Sequence, residues 1–176
     1  HGQIRRQRQM CIRDRLGILI SFPTMLGLII LSDPILITLL KYKEFTLNDV
    51  HMTSIALIAF SIGLPGMIGS KILITNYYSR KDTKYPVKAA LIAVLCNFVL
   101  NIAFVIYLVK TDFNGAHIGL AVATSLSAYV NFFFLFKNAV KTKIFNMDQD
   151  IVFYILKSVI ATIVMSAFLL YFDLSK

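Results

Sequence analysis

Residues 50–88 read VHMTSIALIAFSIGLPGMIGSKILITNYYSRKDTKYPVK, and two properties of this stretch decide the fold. The first is length without charge. From Val50 to Ser79 only Lys71 carries a full charge. A helix rises 1.5 Å per residue, so about 20 apolar residues cross a hydrocarbon core of about 30 Å. The second is the abrupt return of charge: Arg80, Lys81, Asp82, Lys84 and Lys88 arrive together. A long apolar run that ends in a basic cluster is the pattern of a membrane span emerging on its cytoplasmic side.

The rest of the chain has the same character. It has 176 residues, 57% hydrophobic and 15% charged, with mean hydropathy +0.72. Soluble domains run near 45–50% apolar and about 25% charged. This composition excludes a disordered chain, a collagen-like repeat and a disulfide-rich secreted module. Net charge is +9, from 18 Lys+Arg and 9 Asp+Glu. The basic residues fall between apolar runs rather than on one face, so no nucleic-acid partner is expected. Cys11 and Cys96 are too few and too separated for a zinc site or a disulfide framework.

Residues 1–15 are set apart from the fold. Arg5 to Asp14, RRQRQMCIRD, matches one reading frame of a sequencing-library transposon adapter. The alternative is a basic juxtamembrane arm that binds anionic lipid. A segment foreign to the natural protein carries no fold information. Residues 1–15 hold five Arg and one Asp, so the remaining 161 residues carry net +5. With an adapter at its start, the chain is expected to begin inside a longer protein, with upstream helices missing.

Outward from the opening stretch, charge-free length places five spans in an all-α, polytopic helix bundle. They run from Leu16 to Leu40, between Asp49 and Arg80, from Pro86 to Val109, from Gly115 to Phe136 and from Ile151 to Phe172. No stretch alternates as a barrel strand would. The connections give the orientation. Lys/Arg excess is low in the first and third, and high around Arg80–Lys88 and Lys137–Lys143. The positive-inside rule puts the second and fourth connections in the cytoplasm.

Several features inside the spans point beyond a passive anchor. Pro23, Gly27 and Asp33-Pro34 interrupt the first span, and Gly63, Pro65, Gly66 and Gly69 cluster in the second. Proline removes a helix hydrogen bond and kinks the chain, so the cluster at 63–69 is expected to act as a hinge. Lys71 lies nine residues before Arg80, about 13 Å along a helix. Its ammonium either snorkels to the interface or faces a water-filled cavity and attracts an anion. Lys88 and Lys157 are expected to snorkel.

Asn97 and Asn101 share a face of the third span, and Thr124, Ser125, Ser127 and Asn131 lie on the fourth. Such groups pair between helices in lipid, or they supply oxygen ligands to a small cation such as Na⁺. Neutral ligands alone bind a cation weakly. His51 and His117 are expected in outward loops. Tyr77, Tyr78 and Tyr85 read as an interfacial belt, and Phe132–Phe134 with Phe136 as an aromatic cluster facing lipid or packing. There is no phosphate-cradling glycine loop, no HExxH and no serine elbow. Nothing argues for catalysis, and no organic cofactor is expected.

The order of these features resembles one family. Ser61-Ile-Gly-Leu-Pro-Gly66, then Lys71, then Tyr78-Ser-Arg-Lys-Asp-Thr-Lys-Tyr-Pro-Val-Lys88 is similar to the MurJ (MviN) lipid II flippase family. In that family a helix ending F/Y-Y-[SA]-R-x-D-T-x-T-P-V-K enters the next span; Tyr85 replaces the usual Thr. Gly115 to Ala128 resembles its H-A-G-L-[AS]-L-A-T-S-L-[SA]-A stretch. Phe45-Thr46 before Asp49 resembles its G-x-F-[TS]-x-x-D loop, with the glycine absent. The resemblance covers residues 16–172.

The resemblance implies a fold and a function. Residues 16–137 would be helices nine to twelve of fourteen, most of the second lobe of a MOP-superfamily (MATE-like) exporter. Residues 138–176 would be a cytoplasmic loop and helix thirteen. The implied protein is a transporter, not an enzyme, in the bacterial inner membrane. It carries undecaprenyl-pyrophosphate-linked peptidoglycan precursor, lipid II, across the bilayer by alternating access. Its partners are the bilayer, the lipid substrate and the missing N-terminal lobe. Lys71 matches a basic cavity position, and Arg80 and Lys81 a cytoplasmic gate or a topology signal. Asn97, Asn101 and Thr124 match positions implicated in Na⁺ binding; one family version has a carboxylate at Asn101. The coupling ion is Na⁺ or H⁺. Related exporters of other polyprenyl-linked glycans or drugs, and a non-transporting membrane scaffold, are the alternatives.

Overall fold

The computed structural model of the chain describes residues 16–17, 19–40, 47–110, 116–142 and 149–174. The expected sequencing-adapter segment, and the loop similar to G-x-F-[TS]-x-x-D up to Thr46, lie outside them. The described residues form helices and short connections, with no strand among them. The helices are α1 (Leu19–Ile30), α2 (Ser32–Leu40), α3 (Leu47–Ser79), α4 (Lys84–Lys110), α5 (Ala116–Lys141) and α6 (Gln149–Leu174).

The five expected spans resolve into distinct kinds. α3, α4 and α5 are each long and apolar enough to cross a membrane. α1 and α2 meet that test only together, as one span bent by 66°. α6 has 26 residues, and its described apolar stretch is Leu156–Leu169. α5 continues to Lys141, so residues expected to open a loop at 138 are helical. His51 and His117, expected in loops, lie in the second turn of α3 and the first turn of α5.

The bend between α1 and α2 has a local cause. Pro34 lacks the N–H that would bond the Ile30 carbonyl, and its ring crowds that carbonyl. The Ser32 hydroxyl donates to the Ile29 carbonyl at 2.9 Å. It in turn accepts from the Ser54 hydroxyl of α3 at 3.1 Å. Both serines are buried, so the break is tied to its neighbour rather than left open.

Pro65 does not break α3, which runs continuously through it. α3 and α5 lie parallel, and the three glycines form their seam. A Cβ added at Gly63 would stand 2.9 Å from the Ser125 Cα. One at Gly66 would meet the Tyr129 ring at 3.1 Å, and one at Gly69 the Phe132 ring at 2.6 Å. At Gly63 the obstacle is backbone, so only hydrogen fits there, and at Gly69 the Phe132 ring would have to move. Small residues let helix backbones approach closely where lipid offers no hydrophobic drive for association.

α4 runs antiparallel to α5. Gly119 of α5 meets the Phe104 and Leu108 side chains of α4. At the other end Ala89 of α4 joins a cluster with Leu73, Tyr77, Leu135 and Ala139. The opposite face of α4 is exposed, including Leu91, Leu95, Phe98 and Ile102. Such a face suits hydrocarbon as its solvent.

The tyrosines depart from the expected interfacial belt. Tyr78 is exposed, but Tyr77 is fully buried. Its hydroxyl donates to the Leu135 carbonyl at 3.1 Å and accepts from the Asn138 amide at 3.0 Å. Its ring stacks on Tyr85 with centroids 5.7 Å apart. Tyr85 in turn donates to the Phe134 carbonyl at 3.3 Å. The basic turn between α3 and α4 is thereby anchored to the end of α5. The aromatic cluster divides: Phe132 and Phe136 stack at 5.7 Å, while Phe133 is exposed. α6 attaches to α1, where buried Ser158 donates to the Leu19 carbonyl at 2.9 Å.

Candidate functional site

Lys71 is exposed on α3. At 100° per residue it stands about 140° around the helix from Gly66. It therefore occupies the flank turned away from the α5 seam. No Asp or Glu lies on α3 between Asp49 and the helix end, so the helix supplies no counter-charge of its own. Lys157, on α6, places its ammonium 4.5 Å from the Phe153 ring centre. A ring face offsets part of the cost of a cation among apolar groups.

Arg80 and Lys81 lie in the turn that closes α3. The Asp82 amide donates to the Tyr77 carbonyl at 3.2 Å, and the Lys81 amide to the Tyr78 carbonyl at 3.0 Å. This pair of bonds is a Schellman cap, and it requires a left-handed residue at Lys81, where φ is 61°. Glycine takes that conformation without steric cost; lysine does not. Asp82 then starts α4, accepting the Tyr85 amide at 3.4 Å. Pro86 sits in the first turn, where a missing N–H costs nothing. The turn is thus built by its own backbone, and it projects the exposed Arg80, Lys81 and Lys84.

The expected cation ligands are only partly brought together. The Asn101 amide donates to Asn97 Oδ1 at 2.9 Å along α4. The antiparallel register fixed by Gly119 against Phe104 sets Asn101 level with Ala123 and Thr124 of α5. Thr124 does not bond across; its hydroxyl donates to the Leu120 carbonyl of its own helix at 2.8 Å. Asn101 Oδ1 is buried without a hydrogen-bond partner. Asn131 Oδ1, one turn past Ser127, is in the same state. Buried oxygens without donors are uncommon, and each invites a ligand or a water. Among the described residues no group of three His, Cys, Asp or Glu side chains is arranged to hold a metal.

The polar bonds around Pro65 go beyond the sequence-based expectations. Ser125 donates to the Ala59 carbonyl at 2.6 Å, and Tyr129 to the Ile62 carbonyl at 2.7 Å. The Ser–Tyr spacing of four on α5, opposite a proline, is the signal that could have found them. Pro65 leaves the Ser61 carbonyl without its helix donor, and these hydroxyls bond the carbonyls on either side of it, at Ala59 and Ile62.

Residues 3–175 match the family model described as lipid II flippase MurJ. A Vibrio cholerae protein named "Probable lipid II flippase MurJ" is 36% identical over 157 residues, 89% of this chain and 29% of that protein. One of the same name from Haemophilus influenzae is 32% identical over 158 residues, 90% and 29% respectively. A Thermosipho africanus protein named "Lipid II flippase MurJ" is 35% identical over 115 residues, 65% of this chain and 23% of that protein. The chain thus spans under a third of the length of the curated relatives it matches.

Proposed function

This chain belongs to the lipid II flippase MurJ family, and on that premise we propose that it forms one wall of the passage through which such a protein moves lipid II. The reaction is translocation, with no covalent chemistry. An undecaprenyl-linked, pyrophosphate-bearing head group passes from the cytoplasmic to the outer leaflet of the bacterial inner membrane. Transport proceeds by alternating access between this wall and an N-terminal lobe of the same protein. A polyanionic head group does not cross hydrocarbon unaided, because its desolvation is prohibitive. Cationic side chains inside the passage offset that cost.

The observation that carries this reading is Lys71: an exposed ammonium in an apolar span, on the flank of α3 that α5 leaves uncovered. Arg80 and Lys81, held at the mouth by the α3–α4 cap, receive the head group at the cytoplasmic gate or fix the topology of the turn. Pro65 with Gly63, Gly66 and Gly69 is the hinge about which α3 bends. In the present conformation, Ser125 and Tyr129 tie the α3 carbonyls near the hinge to α5.

Asn101 Oδ1 fits a coupling cation, since it is a buried oxygen without a donor. Asn97 and Thr124 are the companion ligands for Na⁺. The ion supplies positive charge that biases one conformation; H⁺ would find no carboxylate on α4 or α5 to occupy. Sodium should raise the melting temperature of the purified protein, and Asn101→Leu should abolish the rise. An equal rise in K⁺ would reject a specific site.

The central test uses the full-length protein carrying this chain, in cells depleted of their own flippase. Lys71→Gln is expected to lower lipid II exposure at the outer leaflet by about tenfold, as for loss of one charge-assisted bond. Lys71→Arg should retain most of it. Wild-type exposure with Lys71→Gln at normal protein levels would refute the cavity role.

A further inference from the structure

We propose that Ser158 is the residue that positions α6: its hydroxyl takes the place of the backbone N–H that Pro23 withholds from α1, and this proline–serine pair docks α6 on the bundle. Pro23 stands inside α1. A proline has no N–H for the carbonyl four residues back, and its ring crowds that carbonyl. At Pro23 that carbonyl belongs to Leu19. The Ser158 hydroxyl donates to it at 2.9 Å. Thr24, beside the proline on α1, donates instead to the Ile20 carbonyl at 2.7 Å.

Among the described residues α6 comes close to none of α2, α3, α4 or α5, so α1 is its link to the bundle. Its side chains divide into one narrow buried stripe and a broad exposed face. Ser158 and Thr162 are buried, while Ile160, Ile163, Val164 and Phe168 are exposed. Met165 continues the stripe, its Cε 3.4 Å from where a Cβ on Gly27 of α1 would stand. That is ordinary van der Waals contact, which brings the helices together without locking them. Leu19 with Ser158 and Gly27 with Met165 advance together, so α1 and α6 run parallel.

Apolar contact gives little net drive between helices in lipid, so the cross-helix bond decides the docking. Hydrocarbon holds no water to replace the serine, and a carbonyl left bare there is costly. Thr162, one turn on, shows what a hydroxyl of α6 does without such an acceptor. It donates to the Ser158 carbonyl of its own helix at 2.6 Å. Pro34 and Pro65 are handled differently. Beside the Ile30 carbonyl that Pro34 frees, Ser32 bonds Ile29. At Pro65 the hydroxyls of α5 take the carbonyls on either side of the freed one. At Pro23 the hydroxyl of the neighbouring helix bonds the freed carbonyl itself.

The test uses the full-length protein carrying this chain, freed of its native cysteines, in nanodiscs. Biotin is attached through Leu16→Cys, just before α1, and Phe153→Cys on α6, exposed positions at the adjoining helix ends. Two streptavidins fit only when these ends separate, so the weakening of the second binding reads the docking equilibrium. Ser158→Ala should raise the separated fraction about threefold to tenfold, as for one interhelical bond in lipid. Thr162→Val should leave it unchanged. Pro23→Ala returns a helix N–H to Leu19, so adding Ser158→Ala to it should have no further effect. A second biotin pair, on Ser79→Cys of α3 and Lys141→Cys of α5, should not respond to Ser158→Ala. If Ser158→Ala alone does not accumulate, normal levels of the Pro23→Ala/Ser158→Ala variant read the same dependence, and failure to recover overturns the proposal. No rise with Ser158→Ala, the same rise in the Pro23→Ala background, or an equal rise at the α3–α5 pair also overturns it. Because the readout is docking, it fails or succeeds independently of transport.

Discussion

The two sides of α5 are built by different rules. Toward α3 it meets a ladder of glycines, and three side-chain hydroxyls cross to backbone carbonyls: Ser125 to Ala59, Tyr129 to Ile62 and Tyr77 to Leu135. Toward α4 the contact runs through Ala89, Gly119 and the Phe104 side chain. There Tyr85 bonds across to the Phe134 carbonyl. In lipid, apolar area gives no net drive for two helices to meet, so close backbone approach and hydrogen bonds decide the affinity. α3 and α5 therefore form a tight parallel pair, and α4 is a looser cover whose outer face is left to the acyl chains.

The sharpest way to break that contrast is to add volume at the glycine seam and on the outer face of the cover. Gly63→Leu drives a side chain into the Ser125 backbone and should cost about 3 kcal/mol. Ala103→Leu on the exposed face of α4 should stay within about 0.5 kcal/mol. Reversible unfolding by steric trapping reads both. Similar costs at the two positions would mean that the glycine seam does not set the stability of the pair.

A smaller effect separates the two tyrosines. Tyr77→Phe leaves the buried Leu135 carbonyl and the Asn138 amide without their hydroxyl and should cost about 1–2 kcal/mol. Tyr85→Phe removes a longer, more exposed bond and should cost about 0.5 kcal/mol. Thermal unfolding in one detergent orders them; the reverse order would place the anchor on α4.

The smallest expected effect is a gain. Lys81→Gly relieves the left-handed strain but widens the freedom of the unfolded chain. The net should be a stabilisation of about 0.5 kcal/mol. If this variant also keeps full transport in the complete protein, the Lys81 charge is dispensable, and the residue serves the cap between the tight pair and its cover.

Much of this was legible from residue order. Charge-free length located α3, α4 and α5 to within a few residues, because a helix must bond its own backbone in lipid. The basic cluster after Ser79 marked a turn. The tyrosines misled, since Tyr77 and Tyr78 are neighbours in sequence but stand 100° apart on a helix, and only one faces α5. The glycines carried two meanings at once. Flexibility was the local reading; contact with Ser125, Tyr129 and Phe132 required knowing which helix lay opposite.

Residue order alone settled the solvent, the helices α3 to α5 and the basic turn between α3 and α4. All three rest on hydropathy and charge, which act residue by residue along the chain. Three further features needed the packed molecule: α3 pairs in parallel with α5, Asn101 keeps an oxygen without a donor, and Ser158 of α6 bonds the carbonyl that Pro23 frees on α1. Each depends on which faces meet, and that is set by steric fit between elements far apart in sequence rather than by any one segment's own preference.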